Sequence, residues 1–542
     1  MKKLLLLAAL MSAAMQGWCY DYDFSAVAPS GQTLYYNIVD GNAQVTFPNY
    51  YYDEVTENHY YYYGFTEPTG ALVIPDTVSF NGTVYTVASI GGSAFAACSG
   101  LTSVTIPNSV TLIDGAAFYG CSGMTSISIG SGVTSIENDA FSSCTSLTTV
   151  TIPNSVTSIG QHAFEGCSGL ISVTFGSGVT SIDRGAFRNC IGLTSITIPN
   201  SVTIIGYAAF SGCSNLTSVT IGDSVTIIVN YAFHNCTSLT SVVFNAVSCT
   251  TAHEAFIGCS NITSFSFGDN VGIIPENICS GFSGLTSIIV PNSVTIIGDA
   301  AFSGCSGLTS IILPDSVTSI GNGSFRNCDH MTNITFGSSV ATIGENALKG
   351  CTQIVNIHMH GSNPPTAQAN TFEDVPTTAN LYVPCDAASS YENAAYWSAF
   401  NIAEEFPYSF SATTANQTRG TVQVLHAPEC GNLQAEVQAN PYNGFHFVRW
   451  SDGNTEAHRY IVVVQDTAIQ AEFAEGNVGI DDIDADGIRI YGAEGRIVVE
   501  GATDEVHVYD MMGRRVRGES LPAGVYMVKV GTRTTRKVVV VK

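Results

Sequence analysis

The chain has 542 residues, 16 cysteines, a formal net charge of −25 and a sequence pI near 4.6. That length exceeds one compact domain of ~100 to 200 residues and calls for several domains or one elongated array. Nucleic-acid phosphates need clustered Lys and Arg, so a chain this acidic excludes nucleic acid as a partner.

At the N-terminus Lys2 and Lys3 precede the apolar run Leu4 to Ala14, with small residues near Gly17 and Cys19, the layout of a secretory signal over residues 1–19. The run is too short to span a bilayer and no later stretch is long and apolar enough, so no transmembrane segment is expected. Bulky Trp18 stands where an acylation signal wants a small side chain, which argues against lipidation of Cys19. Eleven of the 24 tyrosines then fall between Tyr20 and Tyr63, including Tyr60-Tyr61-Tyr62-Tyr63. Two readings are open for residues 20–70: a β-rich N-terminal cap, or an aromatic patch on which sugars stack.

From about residue 71 to 362 the chain repeats itself. Cysteines stand at 98, 121, 144, 167, 190, 213, 236, 259, 305, 328 and 351 on a 23-residue grid whose vacant point is Phe282. Three residues before the grid point comes Phe95, then Phe118 and so on to Phe325, with Leu348 last; at the vacant unit that place is Cys279. Large and small residues have exchanged places in one unit, as volume conservation at two buried sites requires. Leu101, Val104 and Ile106 mark a short strand with Thr105 pointing the other way, the alternation of a half-buried strand. Pro107-Asn108-Ser109 or Gly130-Ser131 supplies a turn, and Val110 with Ile113 opens a second apolar segment. Ten of twelve units place Gly or Asn just before the grid point, for example Gly120 and Asn189, which predicts a short helical turn through Ala-Phe closing in the left-handed region.

A 23-residue unit cannot bury its apolar side alone, so the units must stack. Twelve units at ~4.8 Å per stacked strand give a rod about 55 to 60 Å long with the cysteines in one internal column. Parallel Cβ vectors in such a column disfavour disulfides, and the absence of a CxxC pair disfavours zinc, so these thiols are expected free and buried. Cys249, Cys385 and Cys430 lie off the grid and are open to pairing.

The consensus unit GCSGLTSVTIPNSVTSIG, followed by two variable residues and Ala-Phe, resembles the BspA-type leucine-rich repeat of bacterial surface proteins. The resemblance implies a β-rich leucine-rich-repeat solenoid of twelve 23-residue units with short helical turns, built to bind host extracellular-matrix or bacterial surface proteins. The stretch from Pro364 to Phe400 is similar to the closing segment of such arrays, which gives residues 363–405 as the C-terminal cap. Stacked repeats need one because a terminal unit exposes an apolar face and an unpaired edge.

Beyond the repeats, residues 406–475 show short alternating runs around the Ser451-Asp452-Gly453-Asn454 turn, hence a small β-module with Trp450 in its core. It resembles the InlB-type repeat of extracellular bacterial proteins. In the acidic stretch at 476–486, Asp482, Asp484 and Asp486 precede Gly487 with calcium-loop spacing, but the twelfth position is Ala493 rather than Glu, so it reads as a solvated linker. Ten of the 19 Lys and Arg crowd between Arg489 and Lys542, a composition shift that marks a separate module over residues 487–542. Its short strands suit an antiparallel sandwich, and "VYDMMGRRV" with "LPAGVYMVKVGTRTTRKVVVVK" is similar to the C-terminal sorting domain of type IX secretion cargo. That resemblance implies recognition by the secretion machinery, export across the outer membrane, removal of the tail and retention at the cell surface.

No Ser-His-Asp, Cys-His or paired-carboxylate set stands out, so no enzyme, cofactor or metal is expected. His358 and His360 share a strand face, but no third ligand accompanies them. What recurs on the exposed strand side is alcohol, at Thr102 and Thr105, Thr148 and Thr151, Thr194 and Thr197, Thr217 and Thr220. Thr suits any solvated strand; it also makes a nearly uncharged hydrogen-bonding surface, which Val243, Ile289 and Ile312 interrupt with an apolar patch. These residues form the expected partner-contact surface. Asp76-Thr77-Val78, Asp223-Ser224-Val225, Asp315-Ser316-Val317 and Asp466-Thr467-Ala468 resemble the Bacteroidetes O-glycosylation sequon. The expectation is a secreted, cell-surface adhesin binding host extracellular or bacterial surface proteins, the alternative a glycan or mucin binder supporting nutrient capture.

Overall fold

The computed structural model describes residues 22–53, 58–406, 408–475, 489–493, 496–500, 505–516, 524–530 and 534–540. The signal at 1–19 and the acidic linker with Asp482, Asp484 and Asp486 lie outside the described residues. The chain divides into two compact units, residues 1–383 with 387–403, and residues 384–386 with 404–542.

The first unit is a β-solenoid in which one turn of the chain is one 23-residue repeat. Through the regular repeats parallel pairing steps by 23 residues, as in Ser126↔Ser103 and Ile127↔Val104 on one side and Ile136↔Ile113 on the other. The first strand of each turn, such as Leu101–Thr105 or Thr149–Thr151, buries its Val or Ile and exposes the flanking Thr. The second is two residues long, Leu112–Ile113, Ser135–Ile136 and so on, with the second residue inward. Because the step equals the repeat, equivalent positions stack on one another, and the separate short stripes of the sequence become one core running through the unit.

The third side of each turn is not helical. Position 97 and every 23rd residue to 350 has positive φ, and so does a second series from Ser93 through Ala116, Asp139 and His162 to Asn346. Two left-handed residues four apart forbid a right-handed helical turn between them. The backbone alternates instead: Ser93, Phe95 and Ala97 donate to Gly115, Ala117 and Tyr119 of the next turn, while Ala94, Ala96 and Cys98 donate three residues back. Every N–H in this stretch is thereby satisfied.

The phenylalanines stack through the centre with ring centroids 5.0 Å apart for Phe95–Phe118, 5.2 Å for Phe164–Phe187 and 5.0 Å for Phe233–Phe256. Such stacked pairs add about 0.5–1.5 kcal/mol each to what burial supplies. The column breaks at the exchanged unit, where Cys279 and Phe282 are both buried and Phe282 meets Phe256 edge to face at 6.2 Å. Stacking resumes at Phe302–Phe325. One unit earlier the grid slips: Cys249 and Ala252 are buried where the register calls for residues 248 and 251, and Thr251 bridges Ile227 and Glu276.

Both ends are closed. Asn42–Thr46 pairs in parallel with Thr83–Ile90, which leads the second-strand sheet. Tyr36 and Tyr62 are buried there, and the Tyr62 hydroxyl donates to the Ala94 carbonyl at 2.8 Å. At the far end Tyr391 and Trp397 lie on the last rungs, donating to the carbonyls of Gly361 at 2.7 Å and Pro365 at 2.9 Å. Their rings bury apolar surface while their polar tips satisfy a backbone that has no further turn to pair with.

In the second unit, Phe410–Thr414, Thr467–Glu475 and Phe445–Trp450 form one three-stranded sheet, and Gly420–His426, Gln434–Pro441 and His458–Val462 another. Val437, Trp450, Ile469 and Phe473 make the core, and the Trp450 indole donates to the Glu456 carbonyl at 2.9 Å. Cys385 and Cys430 form a disulfide. Val506–Asp510, Arg515–Val516, Gly524–Val530 and Thr534–Val540 form a four-stranded antiparallel sheet toward the C-terminus.

Candidate functional site

The exposed side of the first-strand sheet presents parallel columns of one residue type each. One runs Thr105, Ser128, Thr151, Thr174, Thr197 and Thr220, then Val243, Ser266, Ile289, Ile312, Thr335 and His358. Alternation places them outward because Val104, Val150 and Ile196 beside them fill the core. The registers Thr220↔Val243, Val243↔Ser266 and Ile312↔Thr335 set these side chains one rung apart. Ile289 is 84% and Ile312 68% exposed, on successive turns of this column, and Val243 is 36% exposed.

The expected alcohol face proves to be two columns with different duties. Thr125 Oγ1 donates to the Thr102 carbonyl at 3.1 Å, Thr148 Oγ1 to Thr125 at 3.2 Å and Thr217 Oγ1 to Thr194 at 2.9 Å. The hydroxyls of Thr125, Thr148, Thr217, Thr240 and Thr332 thus lock one turn onto the last and leave only lone pairs to a partner, whereas Thr102 and Thr194 take part through their carbonyls. Thr105, Thr151 and Thr197 have no side-chain hydrogen bond among the described residues, and their hydroxyls face solvent. A second threonine ladder just ahead of the two-residue strands, Thr134 to Thr111 at 3.1 Å and Thr203 to Thr180 at 3.1 Å, escaped the sequence reading although the same 23-residue spacing carries it.

So did an asparagine ladder. Asn356 Nδ2 donates to Asn333 at 2.9 Å, Asn380 to Asn356 at 3.0 Å and Asn401 to Asn380 at 2.9 Å, continuing the column that Ser103, Ser126 and Ser195 begin. The signal was the change from Ser to Asn in the last units. Asn carries its donor on Nδ2 and its acceptor on Oδ1, so each side chain gives to one neighbour and accepts from the other along the column. The histidines part company: His358 stacks on Tyr382 at 4.8 Å, while His360 lies 3.5 Å from Asp315. Among the described residues no three His, Cys, Asp or Glu come together as a metal cluster.

Burial raises the pKa of most of the thiols, while the side-chain hydrogen bond with Cys236 lowers that of Cys259. Among the described residues thirteen thiols are free and buried, and each grid thiol from Cys121 on donates to a carbonyl of the preceding turn, Cys144 to Phe118 at 3.2 Å and Cys213 to Phe187 at 3.3 Å. Burial pushes the Cys121 and Cys213 thiols up to about 12, so the thiolate needed for chemistry is suppressed. Of the off-grid cysteines open to pairing, Cys385 pairs with Cys430 while Cys249 stays free in the core.

A model of the BspA-type leucine-rich repeat region matches in six copies, over residues 77–194, 180–308 and 272–402. Among solved structures, the chain is similar to a leucine-rich repeat protein from Bacteroides ovatus at 26% identity, covering 67% of this chain and 100% of that one with a TM-score of 0.36. It is similar to a leucine-rich cell surface protein from Faecalibacterium prausnitzii at 24% identity, over 66% and 98% with a TM-score of 0.29. The pneumococcal vaccine antigen PcpA matches at 18% identity over 71% and 98%, with a TM-score of 0.36. No curated protein matches the chain. The matched segments span residues 77–402, more than half of the 542, and on them the chain belongs to the BspA-type leucine-rich repeat family.

Proposed function

We propose that the protein is a secreted, cell-surface adhesin that binds host extracellular-matrix or bacterial surface proteins through the exposed first-strand face. The observation that carries this reading is the pair Ile289 and Ile312, 84% and 68% exposed in a column otherwise filled mainly by small alcohols. Apolar area of that kind, rimmed by Thr and Ser, supplies a desolvated centre and a polar rim. Thr105, Thr151, Thr197 and Thr220 extend the surface along the stack, so affinity accrues from many weak contacts. The Cys385–Cys430 disulfide favours an oxidising compartment, in line with export. In this reading the InlB-like module at 406–475 is a spacer, and the tail at 487–542 is read by type IX secretion machinery and removed in or near 476–486.

The test is surface plasmon resonance of the full chain on immobilised fibronectin, collagen and bacterial surface extracts, beside a glycan array. Binding to protein that falls at least about tenfold in Ile289→Ser/Ile312→Thr, with unchanged thermal unfolding, supports the reading. Binding to sugars alone reverses it in favour of glycan capture. That second reading rests on Tyr50, Tyr51, Tyr52, Tyr60 and Tyr63, which lie exposed around the Tyr51–Asp53 and Asn58–Tyr60 hairpin while Tyr35, Tyr36 and Tyr62 are buried.

A further inference from the structure

Residues 20–360 contain only four Lys or Arg, and two of them, Arg184 and Arg188, line one cleft of about 490 Å³ on the turn side of the solenoid. The cleft arises from a size pattern in the left-handed column: His162, Gly185, Ala208 and Tyr231 follow one another, large, small, small, large. Gly185 is required there, since a Cβ on it would lie 2.5 Å from His162 Nδ1. His162 and Tyr231 hold φ of 58° and 63°, the left-handed setting that the stack imposes on this column, and their bulk there walls the cleft at both ends.

The polar groups are arranged rather than scattered. Arg184 lies over the Tyr207 ring at 5.2 Å and has no carboxylate partner among the described residues. Its N–H edges are therefore free to fork onto an anion. Glu165 holds the neighbours in place, 2.6 Å from His162 and 3.6 Å from Arg188. Tyr207 meets Tyr231 edge to face at 5.6 Å, and Tyr231 meets His234 at 5.3 Å, giving an aromatic wall. Elsewhere the same columns hold Asp299, Asn322 and Glu345 in place of Arg184 and Tyr207, and the positions one turn either side of Arg326 are Ser303 and Lys349.

We propose that this cleft binds a carboxylate-bearing sugar residue of an acidic glycan. Arg184 and Arg188 take the carboxylate, Tyr207 and Tyr231 take the apolar ring face, and Ser211 with His234, 3.4 Å apart, meet the hydroxyls. A peptide strand is disfavoured because the backbone here is already paired: Gly185 N–H bonds Tyr207, Asn189 bonds Ser211 and Ala208 bonds Asn230. Recognition must run through side chains, which suits a compact ring. The site lies on a different side of each turn from the strand face, and stands or falls independently of that reading.

The experiment is NMR titration of the full chain with methyl β-glucuronide, methyl β-glucoside as its uncharged counterpart, and a tetraglutamate peptide. A Kd of about 1 mM is expected for the glucuronide, at least about tenfold tighter than for the glucoside. Arg184→Gln, at an exposed position, weakens it about tenfold, Arg326→Gln leaves it unchanged, and Ile289→Ser/Ile312→Thr has no effect. Equal binding of both sugars, no glucuronide binding at about 20 mM, or insensitivity to Arg184→Gln overturns the proposal. Tighter, Arg184-dependent binding of the peptide overturns it too, and makes the cleft a site for acidic protein.

Discussion

The Cys121 thiol donates a hydrogen bond to the carbonyl oxygen of Phe95, 3.1 Å away in the preceding turn. The same relation repeats at Cys144, Cys167, Cys190, Cys213, Cys236 and Cys259, so the cysteine column both fills a small apolar gap and ties each turn to the last. Alanine would fill the gap without the bond, and a longer apolar side chain would overfill it.

Alkaline pH should therefore weaken the solenoid. Burial raises the Cys121, Cys213 and Cys305 thiols from 9.0 to about 12. Native thiols stay protonated where unfolded ones ionise, so the stability they contribute is complete below pH 9 and is lost as pH climbs toward 12. Each such thiol steepens the loss by about 1.4 kcal/mol per pH unit in that window. Urea unfolding at stepped pH should show a shallower decline for Cys213→Ala than for the wild type; identical slopes would refute the assignment. Below pH 9 the same variant costs about 1 kcal/mol.

The exchanged unit offers a coupling test. Phe282→Cys empties a buried site and should cost about 3 kcal/mol, and Cys279→Phe alone overfills one and should cost about 2. The double substitution restores the regular order of large and small, and should recover at least about 1 kcal/mol relative to the sum of the singles. Additive losses in a denaturant cycle would show that the two sites do not share volume.

Gly132 sits where a Cβ would lie 2.0 Å from the Asn108 carbonyl oxygen of the preceding turn. Gly132→Ala should cost about 2 kcal/mol or more, because the clash is with backbone held by the stack. A shift of less than about 0.5 kcal/mol in the urea midpoint would show the turn free to move aside.

The Cys385–Cys430 disulfide closes a 45-residue interval within the second unit. Chain-entropy arguments give it up to about 4 kcal/mol. Dithiothreitol should lower the calorimetric transition of that unit and leave the solenoid transition in place; two unmoved transitions would mean the bond constrains nothing.

The 23-residue period, the burial of Phe95 or Cys98 and the outward aim of Thr105 were all legible in one sequence, because stacking identical units forces identical residues into identical environments. Trp450 as a core residue was legible for the ordinary reason that large aromatic surface is buried. What needed the third dimension was every relation between neighbouring turns. Pro107 and Gly130 read as two styles of turn, yet a Cβ at Gly130 would stand 2.3 Å from the Pro107 carbonyl, and Gly176 relates to Pro153 in the same way at 2.3 Å. The glycine answers the proline of the turn before it. The left-handed residue at Ser93, Ala116 and Asp139 gave no compositional sign, since the stack imposes it on whatever residue stands there. The aromatic and basic cleft was hidden for the same reason: His162, Arg184, Tyr207 and Tyr231 are far apart along the chain and meet only because each turn advances by one rung. Composition and periodicity determine what a residue faces within its own turn, whereas contact across turns depends on the stacking register, which only the folded chain possesses.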